Sequence, residues 1–314
     1  MSQDNSIVGE VRYSRDMRLF RAITLGLSVS LGVGIFLLLG LVVQSTGARA
    51  PLAYLAAGVL FLPTVLSLAE LAAASGPDGV LHLARASERQ TFAYFIGWVL
   101  LGGGIALGSL LARGSADYLS LLIANLFGLT LDPRWLGLVI LLLLTAGNIL
   151  GSRENRWWQN ALVVAGLATL LILSGWTWFG SRQYFQPVDQ TFFPKMTAAV
   201  ALLSASLWGL ILILATGEEM RHMRKDAPRA LLVTLGLGTI TGAVVAATVP
   251  HVLRPASGLP SLADLAGHLG DPISQSWVLA IGIVILAATL NRTLLTLARM
   301  AADMSRAGFL PRSW

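Results

Sequence analysis

The sequence contains no cysteine, which excludes disulfides and thiolate metal sites. It is also poor in charge. Only 12% of its 314 residues are Asp, Glu, Lys or Arg, against roughly a quarter in ordinary soluble domains. The four histidines fall in loops or at helix ends without metal-ligand spacing, and no nucleophile–base arrangement or phosphate loop is present. Neither a metal centre nor an enzyme is therefore expected.

What fills the sequence instead is apolar: 55% of it, in long runs. The stretches 22–48, 50–69, 90–112, 135–152, 157–181, 196–217, 230–253 and 272–291 carry no charged residue. Each approaches or exceeds the ~20 residues that a helix needs to cross ~30 Å of hydrocarbon. Spanning strands would alternate apolar and polar residues over about ten positions, whereas these runs are apolar on all sides. Only helices satisfy their own backbone in lipid among such segments. The expected class is an all-α integral membrane protein of about eight transmembrane helices. They are placed at 21–46, 51–74, 91–125, 135–152, 156–180, 192–219, 228–252 and 273–301. Ala48-Arg49-Ala50 has the form of a signal-peptidase site, but the preceding apolar run far exceeds a ~7–15 residue signal core. The first run reads as a retained helix.

The basic residues divide unevenly between alternate loops. Fifteen of the 22 lie on one side; only Arg49, Arg134, Arg182, Lys195 and Arg254 lie on the other, with Arg113 and Arg292 inside helices. The positive-inside rule then places both termini in the cytoplasm of a multi-pass cell-membrane protein. The net charge of +6 is accounted for loop by loop, and nucleic-acid binding is not expected. Interface aromatics fall near helix ends: Phe92, Tyr94, Phe95 and Trp98 on helix 3, and Trp157, Trp158, Trp176, Trp178 and Phe179 on helix 5. Trp208 differs, lying in the middle of helix 6.

Helix 1 carries Leu31-Gly32-Val33-Gly34-Ile35-Phe36 near its centre. Two glycines one residue apart weaken a helix by about 1 kcal/mol each. Their spacing fits tight helix packing or a broken helix whose freed backbone holds an anion. Helix 6 offers a second candidate break at Ser204-Ala205-Ser206-Leu207-Trp208-Gly209. Breaks at corresponding positions of two halves are the sequence pointer to a transporter site.

The helix 1 passage, with three others, resembles the amino acid–polyamine–organocation (APC) superfamily of permeases, which share the inverted-repeat fold of the bacterial leucine transporter. Gly32 to Phe36 is similar to that family's Gly-Ser/Ala-Gly-Ile-Phe. Leu68-Ala69-Glu70-Leu71 with Gly76-Pro77-Asp78-Gly79 resembles its Tyr-Ala-Glu-Leu and following turn. Glu218-Glu219-Met220 through Asp226-Ala227-Pro228-Arg229-Ala230 resembles its Glu-Glu-Val to Asp-Ile-Pro-Arg-Ala. Asn291 through Arg299 to Gly308-Phe309-Leu310-Pro311 matches the spacing of its closing motif. The resemblance covers about residues 15 to 312.

The resemblance implies a cytoplasmic segment at 1–20, a first five-helix repeat at 21–180 and a partial second repeat at 181–314. The chain stops just after helix 8, so the second repeat is expected to be incomplete, truncated against a family core of ten helices. It implies a permease for amino acids or related small organic amines, driven as a secondary active transporter. Gly32, Val33, Gly34 and Ile35 would cradle the substrate carboxylate, and Ser204, Ser206, Trp208 and Gly209 would line the opposite wall. Leu210, Ile211 and Leu212 stand where many relatives place an aromatic and then a polar or acidic residue, so an apolar, neutral substrate side chain is expected. Gly166 stands where some proton-coupled relatives carry a lysine. No cofactor is expected, and sodium and proton both remain open as coupling ion. Besides the bilayer and the substrate, a second polypeptide or self-association is a possible source of further helices. The alternatives are a non-transporting ligand sensor or partner-binding subunit, and an inactive truncated remnant.

Three further polar residues stand out. Arg113 and Asp117 are spaced as an i, i+4 ion pair. Arg292 lies two turns before Arg299 and is expected to snorkel toward the cytoplasm rather than to serve in coupling.

Overall fold

The computed structural model describes residues 19–75, 90–150, 156–180, 192–215, 220, 222–248, 262, 272–306 and 308–310. These residues form eight helices, numbered here α1 to α8, and contain no strand. α1 runs through Leu19–Leu31, a π-helical segment Gly32–Leu37, and Leu39–Thr46. α2 is Ala50–Ser75, α3 Gln90–Phe127, α4 Pro133–Ile149 and α5 Arg156–Gly180. α6 consists of Phe192–Leu207, the 3₁₀ turn Trp208–Leu210, and Ile211–Ala215. α7 is Met223–Thr248 and α8 is Pro272–Arg306.

Six helical stretches are long and apolar enough to cross a bilayer: Leu19–Leu37, Leu39–Ala74, Tyr94–Phe127, Lys195–Leu214, Met223–Thr248 and Gln275–Arg306. Pro133–Ile149 and Val163–Ile172 are shorter apolar helices. The second stretch holds the turn at Gly47, whose φ of 57° is open to glycine without steric cost. The chain doubles back there. Tyr54 of α2 hydrogen-bonds the Gly34 carbonyl of α1, although twenty residues of straight helix would hold them about 30 Å apart.

Helix boundaries differ from the sequence reading where local capping decides them. Asp132 accepts from the Arg134 amide at 2.9 Å and caps α4 two residues early, with Pro133 at its first position. This is the favoured chemistry of a helix start. α7 begins at Met223 rather than at Pro228, after His222 accepts from the Lys225 and Asp226 amides. α3 and α8, at 38 and 35 residues, are about 57 and 52 Å long and outrun the hydrocarbon core.

α1 is the buried post of the bundle. Every residue from Thr24 to Phe36 is buried. Hydroxyls from four surrounding helices donate to its carbonyls: Tyr54 of α2 to Gly34, Tyr118 of α3 to Phe36 at 2.8 Å, Thr234 of α7 to Ile23 at 3.5 Å, and Thr289 of α8 to Ser28 at 3.1 Å. Elsewhere α2 packs most extensively on α7, and α3 on α8. The outer faces are apolar: Val59 and Leu60 of α2 are 69% and 66% exposed, and Leu143 of α4 is 67% exposed. Such a surface suits hydrocarbon rather than water.

Candidate functional site

Both candidate breaks are interruptions of helical register, and they lie against each other. In α1 the α-helix gives way to π-helix over Gly32–Leu37. Its i→i+5 pattern closes with the Leu38 amide donating to the Val33 carbonyl at 3.0 Å. The segment is therefore a wider turn rather than an unwound strand. π-turns inside α-helices occur frequently at functional sites. In α6 the helix tightens to a 3₁₀ turn at Trp208–Leu210. One helix loosens where its neighbour tightens.

Gly34 and Ser206 meet at this crossing. A Cβ on Gly34 would stand 3.2 Å from the Ser206 hydroxyl, which itself donates to the Leu203 carbonyl at 2.6 Å. One turn along, a Cβ on Gly209 would overlap the Val29 side chain of α1. Gly32 faces the other way, toward Thr289, Leu286 and Ile285 of α8. Val33 and Ile35 are buried at 1% exposure each. Ser204 is half-buried and donates to the Val200 carbonyl at 2.9 Å. The structure thus brings Gly34 together with Ser206, and α1 together with Gly209, but turns Gly32 toward α8. The side chain of Trp208 lies outside the described residues, as do those of Trp157, Trp158, Trp176, Trp178 and Phe179.

Ser30, Gly34, Tyr54, Ser206 and Thr239 line a gap of about 10 Å³ between α1, α2, α6 and α7. That is the room of one water, far below the several hundred Å³ of a ligand pocket. The interruption is closed in this arrangement. Thr239 Oγ1 is buried beside the gap with no hydrogen-bond partner among the described residues.

Sequence reasoning missed the tyrosines. Tyr54 and Tyr118 hold the Gly34 and Phe36 carbonyls, and the Phe36 and Tyr118 rings pack edge to face at 6.1 Å. The tyrosines within the apolar spans, Tyr54 in α2 and Tyr118 in α3, were the available signal, because a buried hydroxyl needs a partner. Arg113 and Asp117 form the expected pair at 3.1 Å and are exposed. Phe92, Phe95 and Trp98 are exposed near one end of α3, and Tyr94 there packs edge to face on Phe309 at 5.6 Å. The Gly76–Gly79 turn, Glu218, Glu219 and Pro311 lie outside the described residues. Among the described residues no cluster of His, Asp or Glu suits a metal ion.

A central helix interrupted at mid-span, crossed by a second interrupted helix within an apolar bundle, defines a polytopic membrane protein of the transporter class. A family model described as amino acid permease matches residues 17–314, and the chain belongs to that family. It is similar to the branched-chain amino acid permease BcaP of Bacillus subtilis, with 25% identity over 97% of this chain and 70% of the relative. The serine/threonine exchanger SteT of the same organism is 26% identical over 95% of this chain and 69% of its own length. The vacuolar cationic amino acid transporter 2 of Arabidopsis thaliana is 24% identical over 92% of this chain and 49% of the relative.

Proposed function

We propose that this chain is a secondary active permease for neutral amino acids with apolar side chains, binding its substrate where α1 and α6 are interrupted. The observation that carries the reading is the packing of the two interrupted stretches on one another, with Gly34 of the π-segment against Ser206 just before the 3₁₀ turn and Gly209 of that turn against Val29 just before the π-segment. At such an interruption the helix ends present partial charge to a zwitterion: N–H groups to its carboxylate, carbonyls to its ammonium. A low-dielectric surround strengthens both contacts.

Leu210 closes the α6 turn, Leu212 and Ile213 follow it, and all three are buried, an apolar wall that suits a neutral side chain. The two bacterial relatives are named for neutral substrates, branched-chain amino acids in one and serine and threonine in the other. Both termini are assigned to the cytoplasm by the distribution of basic residues. With about 10 Å³ free at the crossing, admission of an amino acid requires α1 and α6 to part, which is the movement alternating access supplies.

The test is uptake of a radiolabelled amino acid panel by the purified chain in liposomes, with and without sodium and proton gradients. The expected outcome is accumulation of leucine-like substrates that is abolished by Gly34→Leu. A Gly34→Leu side chain would run into Ser206. Preferential uptake of lysine or arginine would overturn the substrate class. Saturable binding without accumulation would make the chain a sensor of amino acids rather than a permease.

A further inference from the structure

The gap beside Gly34 is lined by one hydroxyl from each of four helices: Ser30 of α1, Tyr54 of α2, Ser206 of α6 and Thr239 of α7. Two glycines let them converge. A Cβ on Gly238 of α7 would overlap Ser30 Oγ, and a Cβ on Gly58 of α2 would stand 2.6 Å from Thr239 Oγ1. Two of the hydroxyl protons are already committed. Tyr54 donates to the Gly34 carbonyl, and Ser206 to the Leu203 carbonyl at 2.6 Å. Toward the gap these two oxygens can only accept. The Thr239 hydroxyl is in the opposite position. Its oxygen is buried and has no hydrogen-bond partner among the described residues. A buried donor left in that state costs free energy, so the gap calls for a group that accepts from Thr239 and donates to Tyr54 and Ser206.

One water answers that description. It takes the Thr239 proton and gives its own two protons to Tyr54 Oη and Ser206 Oγ, with Ser30 Oγ as a fourth neighbour. Buried waters typically make about three such bonds. The room is right as well, since about 10 Å³ admits one water and nothing larger. A monovalent cation fits less well. It would draw on lone pairs alone and leave the Thr239 proton without an acceptor. Among the described residues lining the gap none is charged, and an unpaired buried charge is costly. We infer that the gap is a binding position for a single internal water, which ties α1 to α2, α6 and α7 beside the π-segment. Its neighbours lie on four helices, so movement of α1 away from α6 separates them and releases it. The water belongs to the closed arrangement and helps to hold it. The inference stands on the gap and not on what the chain carries.

Radiolysis reads such a water directly. A short X-ray pulse converts water to hydroxyl radicals where it lies, and a radical formed in the gap attacks the Tyr54 ring beside it. Tyr118 is the internal control. It is also buried and holds the Phe36 carbonyl in the same way, but it is not among the residues that line the gap. In the full chain in detergent, oxidation of Tyr54 counted by mass spectrometry is expected to run about threefold or more faster than that of Tyr118. Thr239→Val, which keeps the shape and removes the donor, should bring Tyr54 down toward the Tyr118 rate. Equal rates in the unaltered chain would overturn the inference, as would Tyr54 oxidation that Thr239→Val leaves unchanged or raises.

Stability gives a second reading whose sign decides. Without the water, Thr239→Val removes an unpartnered hydroxyl and would leave the melting temperature unchanged or raise it. With the water, loss of the donor is expected to lower it by about 2 °C or more. Melting in sodium chloride against choline chloride separates an ion: stabilisation by sodium that Thr239→Val abolishes would put a cation in the gap and overturn the water. Should Thr239→Val fail to fold, the comparison of Tyr54 with Tyr118 in the unaltered chain still decides. The transport reading fails separately. Faster Tyr54 oxidation without leucine uptake would sink that reading alone, and leucine uptake with equal oxidation of the two tyrosines would sink the water alone.

Discussion

At Gly209 the backbones of α6 and α1 approach so closely that a methyl group would occupy the space of the Val29 side chain. Both positions are buried, so neither helix can yield into free space. Overpacking a tight core by a methylene or more costs typically 1–3 kcal/mol. Gly209→Ala is therefore expected to lower the melting temperature in detergent and to weaken leucine binding. Val29→Ala, which removes the two methyls in the way, should restore part of both. Failure of the second substitution to rescue would show that the glycine serves backbone conformation rather than close approach. The tyrosines make a complementary case. Removing the hydroxyl of Tyr54 or Tyr118 leaves a carbonyl of the π-segment without its side-chain partner. Hydrogen bonds between spanning helices contribute about 0.6 kcal/mol on average and up to about 1.7. Tyr54→Phe and Tyr118→Phe should each lower stability by that order, and the double variant should lose more than either, read by thermal unfolding in detergent.

Among the elements, α5 and α8 meet across Gly166, where any side chain would collide with Ile285. Beside its alignment with a lysine of some proton-coupled members of the resembled superfamily, Gly166 has a packing reason of its own. Gly166→Lys should destabilise the fold unless Ile285→Ala is introduced with it, as measured by the fraction of monodisperse protein after mild heating. Equal recovery of the single and double variants would mean that α8 moves freely away from α5. The same contrast between pattern and packing governs what the sequence could reveal. Eight helices and both interruptions were legible, because charge-free runs and paired small residues report directly on lipid exposure and weakened helix. The Arg113–Asp117 pair was legible because its spacing is local. The form of the interruptions was not. Whether Gly32–Leu37 unwinds or widens depends on Tyr54 and Tyr118, and the anchoring of α1 depends on Thr234 and Thr289, which lie up to 261 residues from their partners. Arg292 was legible as a charge inside a helix, but the polar groups near it come from α1 and α5, and no pattern within α8 announces them.

For the whole molecule, the bundle has two ends that its chemistry distinguishes only through charge. Alternate loops carry very unequal numbers of basic residues, and short loops rich in Lys and Arg resist translocation. Thr130, in the short connection between α3 and α4, lies at the basic-poor end; Lys225, in the first turn of α7, lies at the basic-rich end, and both are exposed. Because the chain has no cysteine of its own, each can be replaced by a single reporting thiol without removing another. In intact cells a membrane-impermeant maleimide should label Thr130→Cys and spare Lys225→Cys until the membrane is opened. In inside-out vesicles the order should reverse. Labelling of Lys225→Cys from outside intact cells would invert the molecule. Labelling of both positions from one side would contradict the odd number of crossings between them, which are α4, α5 and α6, and would require that one of those three does not span.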